Sequence, residues 1–179
     1  MRTLIVCASR YGSTEEIGAW IADRLPYPCI VSSADEKIDP AEYDLVIMGS
    51  GIYSHTVLPA LTIYARKYRD ALADKTLAVF GVAMDLRGVY VGGKVHGGWN
   101  YILPFIEKLP HTPVHAGMLS GEINPAKLSD KDRQGLQEFY RMTKKGDDTI
   151  PYKTRMNKQQ VWEFAEKMME RIENPPRFH

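Results

Sequence analysis

Short, continuously apolar runs that alternate with amphipathic segments constrain this chain more than any other feature. Residues 3–8 (Thr-Leu-Ile-Val-Cys-Ala), 44–48 (Asp-Leu-Val-Ile-Met) and 76–82 are apolar at odd and even positions alike, and 29–31 and 114–119 add two further short runs. Strands of this kind have no face suited to water. Between them apolar residues recur at helical spacing: Ile17, Trp20, Ile21 and Leu25; Leu61, Tyr64, Ala65 and Tyr68; Ile102, Phe105, Ile106 and Leu109; and finally Val161, Trp162, Ala165, Met168 and Met169. Alternating strands and helices with both strand faces apolar predict an α/β domain, a parallel sheet covered by helices on both sides. A length of 179 residues suits one such domain.

Residues 121–156 break the alternation. They hold one amphipathic segment with Leu136, Phe139 and Tyr140 on a face and Ser129 placed to cap it, then the basic turn Lys144-Lys145-Gly146 and the extended stretch Thr149-Ile150-Pro151-Tyr152. The expectation is a single domain over 1–179 with an insertion at about 121–156, near the fifth strand.

The 23 Lys and Arg residues against 22 Asp and Glu leave a net charge of +1, which gives no field to draw in nucleic acid or an anionic membrane. The apolar run at the start is too short for a signal peptide, and none approaches a membrane span. The 2 cysteines, Cys7 and Cys29, supply neither a disulfide framework nor a thiolate metal site, and read as buried free thiols of a cytoplasmic protein. No His-x-x-x-His, Cys-x-x-Cys or carboxylate cluster predicts a metal; Asp35-Glu36 and Asp147-Asp148 read as solvated turns.

In an open parallel sheet, ligands bind where the strands end at their carboxyl side. Loops 9–14, 49–55 and 81–98 leave such ends. The first gathers the hydroxyls of Ser9, Ser13 and Thr14 around Gly12 directly before a helix, where backbone N–H groups and the positive end of the helix dipole converge. That arrangement suits a phosphate monoester. It lacks the lysine of a triphosphate loop and the Gly-x-Gly-x-x-Gly of a dinucleotide site.

With these residues in place the chain resembles the flavodoxin-like family. Ser9, Gly12, Ser13 and Thr14 match its phosphate loop, and Tyr11 stands where a hydroxyl residue is usual. The resemblance implies a three-layer fold with a five-stranded parallel sheet of order 2-1-3-4-5, and FMN as cofactor. Carried over, the phosphate would lie on Ser9, Arg10, Tyr11, Gly12, Ser13 and Thr14. The isoalloxazine would lie between Gly49, Ser50, Gly51, Ile52 and Tyr53 on one side and Gly81, Val82, Ala83, Met84 and Asp85 on the other. More narrowly the chain is similar to the menaquinone-dependent protoporphyrinogen dehydrogenases, through Ser9-Arg10-x-Gly12-x-Thr14-x-Glu16-Ile17, Tyr43-Asp44-x-Val46-Ile47-x-Gly49-x-x-Ile52, Ala116-Gly117 and the insertion before the last helix. Residues 84–100, with their glycines and Trp99, do not match that enzyme's basic loop.

Tyr53 is the leading candidate to stack on a flavin, with Tyr90 and Trp99 behind it, while His55 is the weak candidate for a catalytic proton exchanger and His96 reads as a surface residue. Five of the 14 glycines lie between 88 and 98, which predicts a mobile flap or a contact between subunits of a homo-oligomer, with Arg87 and Lys94 available to substrate carboxylates. Three functions stay open: an FMN-dependent oxidoreductase passing electrons from a small reduced substrate to a quinone or a redox partner protein; a flavodoxin-type carrier with no substrate of its own; and, ranked last because Ser9, Ser13 and Thr14 stand together, a structural or regulatory domain that binds no flavin, which Tyr11 at the usual hydroxyl position suggests. The missing acidity counts against the carrier. If a quinone is the acceptor, Lys144-Lys145 with Phe139 and Tyr140 is where a peripheral membrane contact would lie.

Overall fold

The computed structural model describes residues 1–91, 93–142 and 149–175. Lys144, Lys145 and Asp147-Asp148 lie outside the described residues, as do the side chains of Lys94, His96 and Phe139. Five strands, β1 (Thr3–Ala8), β2 (Cys29–Ser33), β3 (Leu45–Tyr53), β4 (Thr76–Ala83) and β5 (His115–Ser120), form a parallel sheet in the order β2-β1-β3-β4-β5. This is the flavodoxin-like order expected from the sequence.

Helix α1 (Ser13–Arg24) follows β1, while α2 (Pro59–Lys67) and α3 (Arg69–Leu72) follow β3; α4 (Leu103–Ile106) lies between β4 and β5, and α5 (Asp130–Met142) and α6 (Lys158–Glu173) follow β5. The apolar strands are explained by two separate cores. Leu4, Val6, Val46, Met48, Leu77 and Val79 face Leu61, Tyr64, Leu72, Ile102 and Phe105 from α2 to α4. Their neighbours Ile5, Cys7, Leu45, Ile47, Ala78 and Phe80 face Ile17 and Ile21 of α1 and Val161, Phe164, Ala165 and Met168 of α6. Alternate residues of each strand therefore serve opposite cores. Cys7 is buried and its thiol is pushed well up by desolvation; Cys29 is only half-buried.

One local expectation is corrected, and two segments gain detail. Ile102, Phe105 and Leu109 share one core, but the helix they suggested is a 3-10 turn over Gly98–Tyr101 and the single turn of α4, with prolines at 104 and 110 close around it. Directly after residues 149–152, which pair with no strand, Lys153–Thr154 pairs antiparallel with Glu122–Ile123. The glycine-rich segment is a hairpin in which Val89–Val91 pairs with Lys94–His96. No helix of the described residues is long and apolar enough to cross a membrane.

His115 opens β5 with its ring centroid 4.6 Å from that of Phe164, and its Nδ1 is buried without a hydrogen-bond partner. Burial, reinforced by Arg171 and Lys167, pushes the imidazole down to about 4. Above about pH 6.5 the ring is neutral folded and unfolded, so stability is full; as pH falls toward 4 only the unfolded chain takes up the proton, and up to about 3 kcal/mol is lost. The urea midpoint should fall across this window, and His115→Leu should flatten the fall. An unchanged slope in the variant would place the acid sensitivity elsewhere.

Candidate functional site

All the loops named in the sequence leave the same edge of the sheet, since Ala8 pairs with Ser50, Gly51 with Val82 and Ala83 with Ser120. Gly12 is the N-cap of α1, with φ of 93°, a backbone region where glycine pays no steric cost. Ser13 is the first helical residue, and no side chain caps the helix. Ser9 Oγ accepts the Gly12 N–H at 3.0 Å and folds the loop back on itself. The first amides of α1 therefore face the loop without a side-chain acceptor.

Thr14 is 1% exposed, and its Oγ1 has no hydrogen-bond partner. A Cβ built on Gly51 would lie 3.5 Å from this oxygen and 2.8 Å from the edge of the Tyr53 ring, so α1, the end of β3 and Tyr53 converge here. A buried hydroxyl left unsatisfied is rare enough to require an explanation. A phosphate oxygen beside an uncapped helix N-terminus supplies one, and in this respect the residues fit FMN.

Tyr53 is held from two sides. The Arg10 guanidinium lies over its ring at 4.5 Å from the centroid, and the Tyr11 ring meets it edge-on at 6.2 Å. Burial pushes the Tyr53 phenol up to about 12, so it stays neutral. Arg10 and Tyr11 are in turn tied to the start of α5. Arg10 Nη1 donates to both carboxylate oxygens of Asp132 at 2.7 and 2.8 Å, and the Tyr11 hydroxyl donates to Asp132 Oδ2 at 2.5 Å. The Ser129 N–H donates to Tyr11 Oη at 3.2 Å, while Ser129 Oγ accepts the Asp132 N–H and caps α5 as the sequence predicts. Burial would raise the Asp132 carboxyl, but the hydrogen bonds from Tyr11 and Arg10 outweigh it and hold the group below the ordinary carboxylate range.

Not every residue expected at the cofactor is free to turn toward it. Ser50 is fully buried; its Oγ donates to Gly51 O and accepts the Leu58 N–H at 2.8 Å, which fastens β3 to the start of α2. At Gly49 the Cβ position lies 2.0 Å from Phe80 Cζ, so the absent side chain makes room for that ring. Gly81 and Val82 are buried within β4, Ala83 ends it, the Met84 carbonyl accepts from Arg155 at 2.8 Å, and Asp85 accepts the Arg87 N–H at 3.0 Å. Ile52 and Tyr53 pair with Val57 and Thr56 across the two-residue turn Ser54-His55, both of which have positive φ. His55 Nδ1 lies 3.2 Å from Tyr101 Oη and so joins this turn to the base of the glycine-rich hairpin. Tyr90 and Trp99 stand on that hairpin and just after it, 73% and 45% exposed.

A family model described as a flavodoxin domain matches residues 4–149, from β1 through α5. The chain belongs to the flavodoxin domain family. No curated protein is found to match it. Among solved structures, oxidised flavodoxin 1 from Bacillus cereus superposes with a TM-score of 0.53 at 15% identity, over 95% of this chain and 98% of its own. Rubredoxin oxygen:oxidoreductase from Desulfovibrio gigas gives 0.52 at 12% identity over 96% of this chain, which spans only 36% of that protein's length. A flavoprotein from Lactobacillus acidophilus solved in complex with FMN gives 0.50 at 15% identity, over 65% of this chain and 92% of its own. At these identities the likeness is one of fold.

Within this flavodoxin domain the sequence did not point to Asp132, Tyr101 or Arg155. Ser129 was marked as a cap, and Asp132 stands three residues after it, but a side chain reaching across 122 residues to Arg10 leaves no periodic trace.

Proposed function

We propose that this flavodoxin-domain protein binds FMN and works as an oxidoreductase, taking electrons from a small reduced substrate and passing them to a quinone. The reading is carried by Thr14 Oγ1, buried without a partner beside the uncapped start of α1. FMN supplies the electron chemistry when bound. The chain supplies the holding and the placing. Ser9 shapes the loop by taking up the Gly12 N–H, and Ser13 and Thr14 offer backbone N–H groups and hydroxyls to the phosphate dianion. Tyr53 offers a neutral ring for stacking, preset by Arg10 and Tyr11. His55, with Nδ1 against the Tyr101 hydroxyl, is a titratable group at the same edge, placed to hold or release a proton as a donor loses two hydrogens and a quinone takes them up.

The resemblance to menaquinone-dependent protoporphyrinogen dehydrogenases names the first pair to try, protoporphyrinogen IX with menaquinone. Arg87 is available to its carboxylates. The near-neutral charge supports an enzyme that recognises its substrate locally over a carrier steered by long-range attraction.

Purified protein is expected to be yellow, to release FMN on denaturation, and to lose its colour when protoporphyrinogen is supplied without an acceptor. A colourless protein that takes up no added FMN would defeat the cofactor assignment. A yellow protein that is reduced by a flavoprotein reductase but by no porphyrinogen would make it a carrier.

A further inference from the structure

The insertion does more than decorate the domain. α5 reaches the phosphate loop through Asp132, which takes hydrogen bonds from both Arg10 and Tyr11. Ser129 adds a backbone donor to the Tyr11 hydroxyl, and Lys127 Nζ lies 3.5 Å from the Tyr11 carbonyl. Arg10 and Tyr11 both also touch the Tyr53 ring. One carboxylate of α5 thus fixes two neighbours of the ring expected to meet the flavin.

An arginine on an exposed loop beside a phosphate site would ordinarily turn its charge to the phosphate. Here Nη1, shared between both Asp132 oxygens, engages that charge, and the guanidinium carbon lies over the Tyr53 ring instead. Asp132 is itself held at the start of α5, its N–H on Ser129 Oγ at 3.2 Å, so the whole chain of contacts hangs from a helix and not from a mobile loop. Side chains ordered before binding need not be ordered by it, and each one saved improves affinity.

We infer that Asp132 is a positioning residue for the flavin site: through Arg10 and Tyr11 it sets the Tyr53 ring before the cofactor arrives. This rests on the FMN reading above. It makes the insertion part of the cofactor site although none of its residues is expected to touch the cofactor.

The test is a titration of FMN into the apoprotein, followed by quenching of flavin fluorescence, for wild type, Asp132→Asn, Arg10→Met and the double variant. Asp132→Asn is expected to bind about tenfold more weakly. Arg10→Met should lose a similar factor, and the double variant should bind no more weakly than either single one, because both changes cut the same connection. The visible bands of bound FMN, which report what packs on its ring, should shift alike in both single variants. Should Asp132→Asn not fold, Tyr11→Phe carries the same test, since it removes one of the two tethers and leaves the ion pair.

Wild-type affinity in Asp132→Asn overturns the inference, and so do losses that add in the double variant. A lowered apoprotein melting temperature with unchanged affinity and unchanged bands would make Asp132 a tie of the insertion alone and overturn it too. A wild-type protein that fails to bind FMN overturns the cofactor reading, and this inference with it. Normal wild-type binding with indifferent variants overturns this inference only.

Discussion

Apoprotein carrying Thr14→Val is expected to be more stable than the wild type while binding FMN about 30-fold more weakly. The two effects have opposite signs because one atom is responsible for both. Thr14 Oγ1 is buried and unpartnered, so in the free protein it costs desolvation and returns no hydrogen bond. Valine keeps the shape and the β-branch and removes that cost, worth about 1 kcal/mol. A phosphate dianion would meet the hydroxyl with a charge-assisted bond worth about 2 kcal/mol, which valine cannot make. Melting curves and FMN titrations on one preparation decide it. A variant that is less stable and binds equally well would mean that the hydroxyl serves the fold, and the phosphate would have to be sought elsewhere.

Gly49→Ala is expected to destabilise the protein by about 3 kcal/mol or more, at the upper end of what overpacking costs. The new methyl group would stand 2.0 Å from Phe80 Cζ and 2.4 and 2.5 Å from its Cε atoms. Neither partner has room to yield. Gly49 lies in β3, paired with Cys7 of β1 and Phe80 of β4 on either side, and Phe80 is fully buried with Phe164 edge-on to it at 6.2 Å. Gly117 stands across Phe80 in the next strand and gives the Phe164 ring a looser seat, its Cβ position 3.1 Å from Phe164 Cδ2. Two glycines thus seat two aromatic rings between the sheet and α6. Adding Phe80→Leu to Gly49→Ala should recover part of the loss, so that the double variant is more stable than the two separate costs predict. Urea midpoints read both effects; a Gly49→Ala protein within 1 kcal/mol of wild type would show that the ring can move.

These two residues also mark where the sequence was legible. Thr14 was found because its chemistry is local: hydroxyls, a glycine and a helix start fall within six residues. The three central strands β1, β3 and β4 were legible for a similar reason, since burial on both faces writes an unbroken apolar run, whereas the edge strands β2 and β5 left shorter ones. Gly49 was singled out as a close approach to the cofactor, and the structure shows a close approach to Phe80, 31 positions later. A glycine states that something comes near; only the strand register says what. The broken helix at 102–109 has another cause, because Ile102, Phe105 and Leu109 keep helical spacing while facing one core from a 3-10 turn and a single α turn. Asp132 lies beyond local reading altogether, since its importance comes from partners at positions 10 and 11.

The excursion from 121 to 156 leaves and rejoins the domain at nearly one point, where Glu122–Ile123 pairs with Lys153–Thr154 and the Arg155 N–H donates to the Gly121 carbonyl at 3.0 Å. Topologically it is a surface loop with a closed neck, however much structure it holds. Changes in its length therefore charge the sheet only loop-closure entropy, roughly 0.6 kcal/mol for each doubling. An accessory built in this way can be lengthened, trimmed or rewritten over evolutionary time while the strands beneath it stay as they are, which makes it the natural place for relatives with one sheet to diverge in what they do at its edge.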